Sequence, residues 1–244
     1  MNSISANLNL MIKACEKASK ILIRDFGEIE NLQVSKKGPK DFVTNADKKV
    51  EKVLINELSK KKYSVITEET GKIIKEDGNS FWIIDPIDGT INFLHGIPHF
   101  CISLAYMKNN EIIGGVIFDP IKNEIFYAER NLGAYFNNQR IRVSKKNNLN
   151  ECLFGTNINS SKSIELNLRV SGSAALDLAY VAAGRLDGFF QKNLNIWDVA
   201  AGIAILTEAG GRINPINFKE IKNHKIIASS EVINADLNGL LKNF

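Results

Sequence analysis

Leu8, Met11, Cys15, Ala18 and Leu22 recur at spacings of three and four. That spacing makes one face of a helix apolar and predicts a helix from near Ser5 to near Gly27. Val50, Val53, Leu54 and Leu58 form a second such stripe. Thr44 can cap this helix, with Asp47 three places on as a short variant of the capping box. Lys36 to Val43 is read as a loop between the two helices. The period then changes. Tyr63 to Thr67 and Phe81 to Ile84 read as short strands, and Cys101 to Met107 pairs with Ile112 to Phe118 as a hairpin turning at Lys108, Asn109 and Asn110. Glu124 to Ala128 and Gly133 to Phe136 add two more strands.

A polar stretch at residues 145–151, KKNNLNE, reads as a connector. It divides the chain into an N-terminal half, 1–144, and a C-terminal half, 145–244. The second half opens on a strand at Cys152 to Gly155, followed by a polar loop over Asn157 to Glu165. Helices follow at Ala174 to Arg185 and Trp197 to Gly210, with a strand at Leu186 to Gln191 between them. Ile213 and Ile226 to Ser229 fall in the last strands. Strands and helices interleave in both halves, so the expected class is α/β, in layers of helix and mixed sheet.

The chain has 244 residues, with 31 basic and 27 acidic side chains. An excess this small is no nucleic-acid footprint. Lysines at 36, 37, 40, 48, 49, 52 and 60–62 make one side of the first third basic. Such a surface reads first as a solvated face, and steering of an anionic substrate is the sharper reading compatible with it. Cys15, Cys101 and Cys152 are isolated and odd in number, which speaks against a disulfide framework or structural zinc and for a reducing cytoplasm. The first twenty residues lack the pattern of a secretory leader. No apolar run reaches the length of a membrane span. His95 and His99 are separated by Gly96 and Pro98, which argues against a helical metal pair.

The most informative stretch is WIIDPIDGT, residues 82–90. An apolar strand delivers Asp85 and Asp88 to its end, Pro86 stiffens the chain between them, and the Ile87 carbonyl lies inside the same arc. Three hard oxygens at a strand end suit Mg²⁺. The DP and DG pairs alone also describe a surface turn. Glu68 and Glu69 end the preceding strand, however, and Asp198 opens a later helix, either as its cap or as a further ligand. Four acids near one point repel one another unless a cation joins them. No phosphate-binding glycine loop of a nucleotide enzyme is present.

Four segments carry a resemblance over nearly the whole chain: GPKDFVTNAD (38–47), ITEETG (66–71), WIIDPIDGTINF (82–93) and WDVAAGIAILTEAGG (197–211). In this order they resemble the inositol monophosphatase family. INFLHGIPHF and LDLAYVAAGRLDGFF are similar in particular to its bacterial SuhB-type branch. The resemblance implies a layered α-β-α-β-α sandwich, a homodimer and two or three Mg²⁺ per site. It implies one Mg²⁺ on Glu68, Asp85 and the Ile87 carbonyl, and a second on Asp85, Asp88 and Asp198. A third would sit beside Glu68 through waters. Glu68 and Thr90 would orient the attacking water, with Asp47 holding the Thr90 hydroxyl and Glu69 standing behind. Asp88, Gly89, Thr90, Thr156, Gly172, Ser173, Ala174 and Gln191 would face the substrate.

The activity so implied is hydrolysis of a small phosphate monoester, myo-inositol 1-phosphate first, by an activated water and without a phosphoenzyme. Lithium would inhibit by displacing magnesium. Two features depart from the family pattern. Gln191 stands where the family usually has a glutamate that binds an inositol hydroxyl. Between Thr156 and Arg169 a short polar stretch replaces a helix-sized segment that borders the substrate rim and the partner subunit. Histidinol phosphate, fructose 1,6-bisphosphate and adenosine 3′,5′-bisphosphate are therefore alternative substrates. SuhB-like proteins also serve as accessory factors of ribosomal-RNA transcription, so transcription-complex proteins are possible partners.

Overall fold

The structure is a computed structural model that describes residues 4–28, 34–36, 42–75, 78–157 and 166–242. Helix α1 (Ala6–Gly27) starts at Ser5, whose Oγ accepts the Leu8 N–H at 3.1 Å, and it buries the predicted stripe. Helix α2 (Asn45–Leu58) buries Val50, Leu54 and Leu58, and with them two acids, Asp47 and Glu51. The expected loop between the helices instead contains two strands, β1 (Val34–Lys36) and β2 (Phe42–Thr44), paired antiparallel. Strands of three residues are too short for alternation to show in sequence. Lys37 and Lys40 lie outside the described residues.

The first sheet contains β3 (Ser64–Thr67), β4 (Gly71–Ile73), β5 (Ser80–Asp88), β6 (Cys101–Lys108), β7 (Glu111–Asp119), β8 (Glu124–Glu129), β9 (Gly133–Phe136) and β10 (Gln139–Arg140). Helix α3 (Thr90–Leu94) follows β5. The strand order is β10-β9-β8-β7-β6-β5-β3-β4. The expected hairpin is β6–β7, and its turn residues Asn109 and Asn110 have positive φ, 52° and 60°, as a tight hairpin turn requires. Strand β5 runs on to Asp88, past the predicted end at Ile84. Its pairing with β6 shifts register between Asp85 and Asp88, so Pro86, which has no N–H to give, sits in an irregular stretch of the ladder.

The second sheet contains β11 (Leu153–Thr156), β12 (Asn167–Arg169), β13 (Gly188–Leu194), β14 (Gly211–Ile213) and β15 (His224–Ser230), in the order β12-β11-β13-β15-β14. Helices α4 (Ala174–Ala182) and α5 (Ile196–Glu208) lie between the sheets, and α6 (Glu231–Leu240) covers the outer face of the second. Helix α4 stops three residues before the predicted Arg185; Gly184, at φ 70°, turns the chain away. The α6 helix was not foreseen, and only Ile233 and Leu237 of it are buried. Most of the loop predicted over Asn157 to Glu165 lies outside the described residues.

Three apolar cores alternate with these layers. Leu22, Leu54, Trp82 and Phe100 belong to the core between α1, α2 and the first sheet. Ile83, Leu178, Phe189 and Ile205 belong to the central one, and Phe154, Phe190 and Ile233 to the outer one. The architecture is thus an α-β-α-β-α sandwich. Gly115 of β7 touches α5 so closely that a Cβ there would lie 2.5 Å from the Ala201 carbonyl oxygen. Gly115→Ala is expected to destabilise by roughly 1–3 kcal/mol, because backbone rather than a flexible side chain must yield. A lower denaturant midpoint at unchanged slope would show it. Among the described residues no helix is long and apolar enough to cross a membrane.

Candidate active site

The acids meet because of strand register. Strands β3 and β5 are parallel, with Thr67 opposite Ile84, so the next residues, Glu68 and Asp85, come side by side as β3 ends and β5 runs on. Strands pair about 5 Å apart, a distance at which two carboxylates repel strongly. Glu68, Glu69 and Thr70 form the three-residue turn from β3 into β4, closed by Gly71 at φ 83°. On the other side of β5, Asp85 pairs with Ser103 of β6. The Ser103 hydroxyl donates to the Trp197 carbonyl at 3.2 Å. That bond fixes the first turn of α5 over Asp85, and with it Asp198.

Asp198 turns out to cap its helix: its Oδ2 accepts the Asn195 N–H at 2.7 Å. It also takes part in the acidic cluster, interacting electrostatically with Asp85, Asp88 and Glu68. The cap and the site role are compatible, because a carboxylate held by one oxygen still presents the other. Asp85 is tied in the same way, with Oδ1 accepting the Ile87 N–H at 3.0 Å. Asp88 Oδ2 accepts the Ala175 N–H at 2.9 Å, the Ser173 hydroxyl in a short bond, and a weak contact from the Cys101 thiol at 3.8 Å. Ser173, expected on the substrate side, therefore supports Asp88 through its hydroxyl.

Asp47, Asp85 and Asp88 are buried, Asp198 is half-buried, and Glu68 stands open to solvent. The cluster thus has a closed floor and an open mouth. Burial, then repulsion from Glu68, Asp88 and Asp198, holds the Asp85 carboxyl well above the usual range. Burial and Asp88 push Asp198 up to about 7. Asp88 rises to about 6 through burial, against the bonds from Ser173 and Ala175 that favour its charged form. Glu68 is raised to about 8 by crowding from surrounding chain, then by Asp198 and Asp47. Solvent at the mouth screens part of that rise, so the enclosed Asp85 is the firmer sign of electrostatic tension.

Gly89 precedes α3 with φ 94°, and a Cβ there would lie 3.0 Å from the His99 carbonyl, so the tight turn needs glycine. The Thr90 hydroxyl donates to the Ile87 carbonyl at 2.8 Å, an acceptor different from the Asp47 that the resemblance implies. Asp47 lies within charge reach of Glu68 and Asp85. Thr156 is buried at the end of β11, and Gln191 is half-buried on β13, opposite Ile226. Gly172, at φ 85°, packs on the Asn92 carboxamide. Asn92 Nδ2 donates to the His99 carbonyl at 2.8 Å and to the Ser171 carbonyl at 2.9 Å, joining α3 to the loop before α4.

Sequence reasoning missed Glu51, Asn92 and Ser103. Glu51 had a readable signal: it lies four residues after Asp47, on the same helical face as the buried stripe. Ser103 had none, since its partner is 94 residues away.

The donor set is one of hard oxygens, the chemistry that suits Mg²⁺. Among the described residues no three acid, imidazole or thiol groups already form an ion cage. The carboxylates share a buried zone and repel one another across it, and a divalent cation would relieve that repulsion. Fold and site together define a layered α/β protein with an acidic centre at the strand ends of its first sheet, open to solvent on the Glu68 side.

Comparison with known proteins agrees. The family model described as "Inositol monophosphatase family" matches residues 5–243. An inositol-1-monophosphatase of Rhizobium meliloti is 48% identical over 224 residues, 85% of this chain and 84% of that protein. The Nus factor SuhB of Escherichia coli is 38% identical over 224 residues, again 85% and 84% of the two chains. The crystal structure of the extragenic suppressor protein SuhB from Bartonella henselae superposes with a TM-score of 0.91 at 45% identity, covering 98% of this chain and 99% of that one. The chain belongs to the inositol monophosphatase family, in its bacterial SuhB-type branch.

Proposed function

We propose that this protein is a Mg²⁺-dependent phosphatase of small phosphate monoesters, with myo-inositol 1-phosphate as the first substrate. The observation that carries the reading is the gathering of carboxylates from the β3–β4 turn, β5 and α5 at one end of the parallel strands, with Asp85 held well above its ordinary pKa. Glu68, Asp85, Asp88, Asp198 and the Ile87 carbonyl would hold the metal. When bound, Mg²⁺ neutralises phosphate oxygens and makes a coordinated water acidic. Glu68 and Thr90 then orient the attacking water, and Asp47 lies close enough in charge to bias the proton that leaves it. The Gly89 and Thr90 N–H groups face the phosphate. Asp88 is shared between metal and substrate, and Ser173 and Ala175 fix its orientation. Thr156, Gly172, Ala174 and Gln191 line the alcohol side, where Gln191 offers an oxygen without a charge.

Phosphate release with and without Mg²⁺ tests this on myo-inositol 1-phosphate, histidinol phosphate, fructose 1,6-bisphosphate and adenosine 3′,5′-bisphosphate. Magnesium-dependent turnover of at least one, inhibited by Li⁺, is expected. No turnover of any would overturn the reading. Likeness to the Nus factor SuhB supports a second one, an accessory protein of ribosomal-RNA transcription; under either reading the expected form is a homodimer in the cytoplasm. Tight binding to transcription factors by a protein without phosphatase activity would favour it.

A further inference from the structure

Glu51 is a carboxylate that the reaction above does not use. It is buried in α2, with 4% of its surface exposed. Its Oε2 accepts the Thr67 hydroxyl at 2.6 Å and the Glu69 N–H at 3.1 Å, and its Oε1 accepts the Thr70 hydroxyl in a short bond. All three donors flank Glu68. The turn that follows Thr67 is open to solvent at Glu68 and Thr70, so its position depends on the bonds that tie it to Glu51. A buried carboxylate is costly unless donors satisfy it, and here the end of β3 and the turn after it supply all three.

We propose that Glu51 is a positioning residue that fixes the β3–β4 turn and so sets where the Glu68 carboxylate stands relative to Asp85. This rests on the metal-site reading above. The pattern of donors sharpens it. Oε2 faces an N–H and a hydroxyl, so an oxygen must stay there. Oε1 faces only a hydroxyl, which can rotate and accept instead. A glutamine with its oxygen at the Oε2 place and its NH₂ toward Thr70 keeps every bond. Shape, and not charge, is therefore what the position requires.

Two measurements on the full chain test this, and one needs no metal. Glu51→Ala should speed amide exchange at Glu69 by about tenfold or more and weaken Mg²⁺ affinity by about 10–100-fold, as loss of a ligand's support does elsewhere. Glu51→Gln should stay within about threefold of wild type in both, since its bonds survive. If Glu51→Ala leaves Glu69 exchange unchanged, the inference is overturned. It is overturned equally if Glu51→Gln is as damaged as Glu51→Ala, for then charge is the requirement. A wild-type protein that binds no Mg²⁺ removes the metal reading and leaves the exchange test to decide the positioning role. Should Glu51→Ala not fold, the double variant Thr67→Val/Thr70→Val removes two donors with Glu51 in place. Faster Glu69 exchange there supports the proposal, and unchanged exchange overturns it.

Discussion

Asp85→Asn is expected to lower kcat/KM for phosphate release by about a thousandfold or more, and to raise the melting temperature of the same protein without metal. The two effects have one origin. Asp85 lies at the floor of the site, buried, with Glu68 beside it just past the end of the neighbouring strand and Asp88 and Asp198 within charge reach. Asparagine keeps the oxygen that accepts the Ile87 N–H at 3.0 Å, so the β5 bend survives. What it removes is a negative charge that burial and three neighbours disfavour. A cation then loses the acid that both metal positions of the proposed site share, and the phosphate loses the charge that should hold it. Kinetics with excess Mg²⁺, paired with thermal melts of both proteins in chelator at about pH 8, give both readings. A variant that is inactive and also melts lower without metal would show that Asp85 serves packing and hydrogen bonding. The idea of a cluster held under repulsion would then be lost.

Legibility in the sequence followed the range of the forces involved. Long amphipathic stripes such as Leu8 to Leu22 announced their helix, and the β6–β7 hairpin announced itself through two asparagines able to adopt positive φ. Asp85 and Asp88 were legible because an apolar strand leads straight into them. The strand itself was read too short, because a proline within it signals an end when only local rules are applied, whereas a register shift against β6 absorbs it. Asp198 was ambiguous for a physical reason: a first-turn acid is both a good cap and a good ligand, and here it is bonded as a cap while facing the other acids. Glu51 and Asn92 act through partners that only the fold brings near. Asn92 reaches Ser171 across 79 residues, a distance along the chain over which no periodicity carries information.

The stabilisation that Mg²⁺ gives the folded protein is expected to grow as pH rises from about 6 to about 8, the range that the raised acids span. Carboxyls in an unfolded chain titrate near pH 4. In the folded, metal-free protein they titrate higher: Asp88 at about 6, Asp198 at about 7 and Glu68 at about 8. The folded state therefore binds more protons at these groups across that interval, and the stability they contribute without metal is fully present below about pH 4 and is lost as pH rises through the folded values. A cation requires the same groups deprotonated, so at low pH it competes with protons and at high pH it relieves repulsion already present. Each proton displaced is worth about 1.4 kcal/mol per pH unit inside the window, or roughly 3–6 °C in a protein of this size. Thermal melts with chelator and with saturating Mg²⁺, taken in half-unit pH steps, would show two curves that separate toward alkaline pH. Curves that stay parallel from pH 6 to 8 would mean that magnesium binds away from these acids. In Asp85→Asn the separation should shrink, because the repulsion that Mg²⁺ relieves has been removed by the substitution instead.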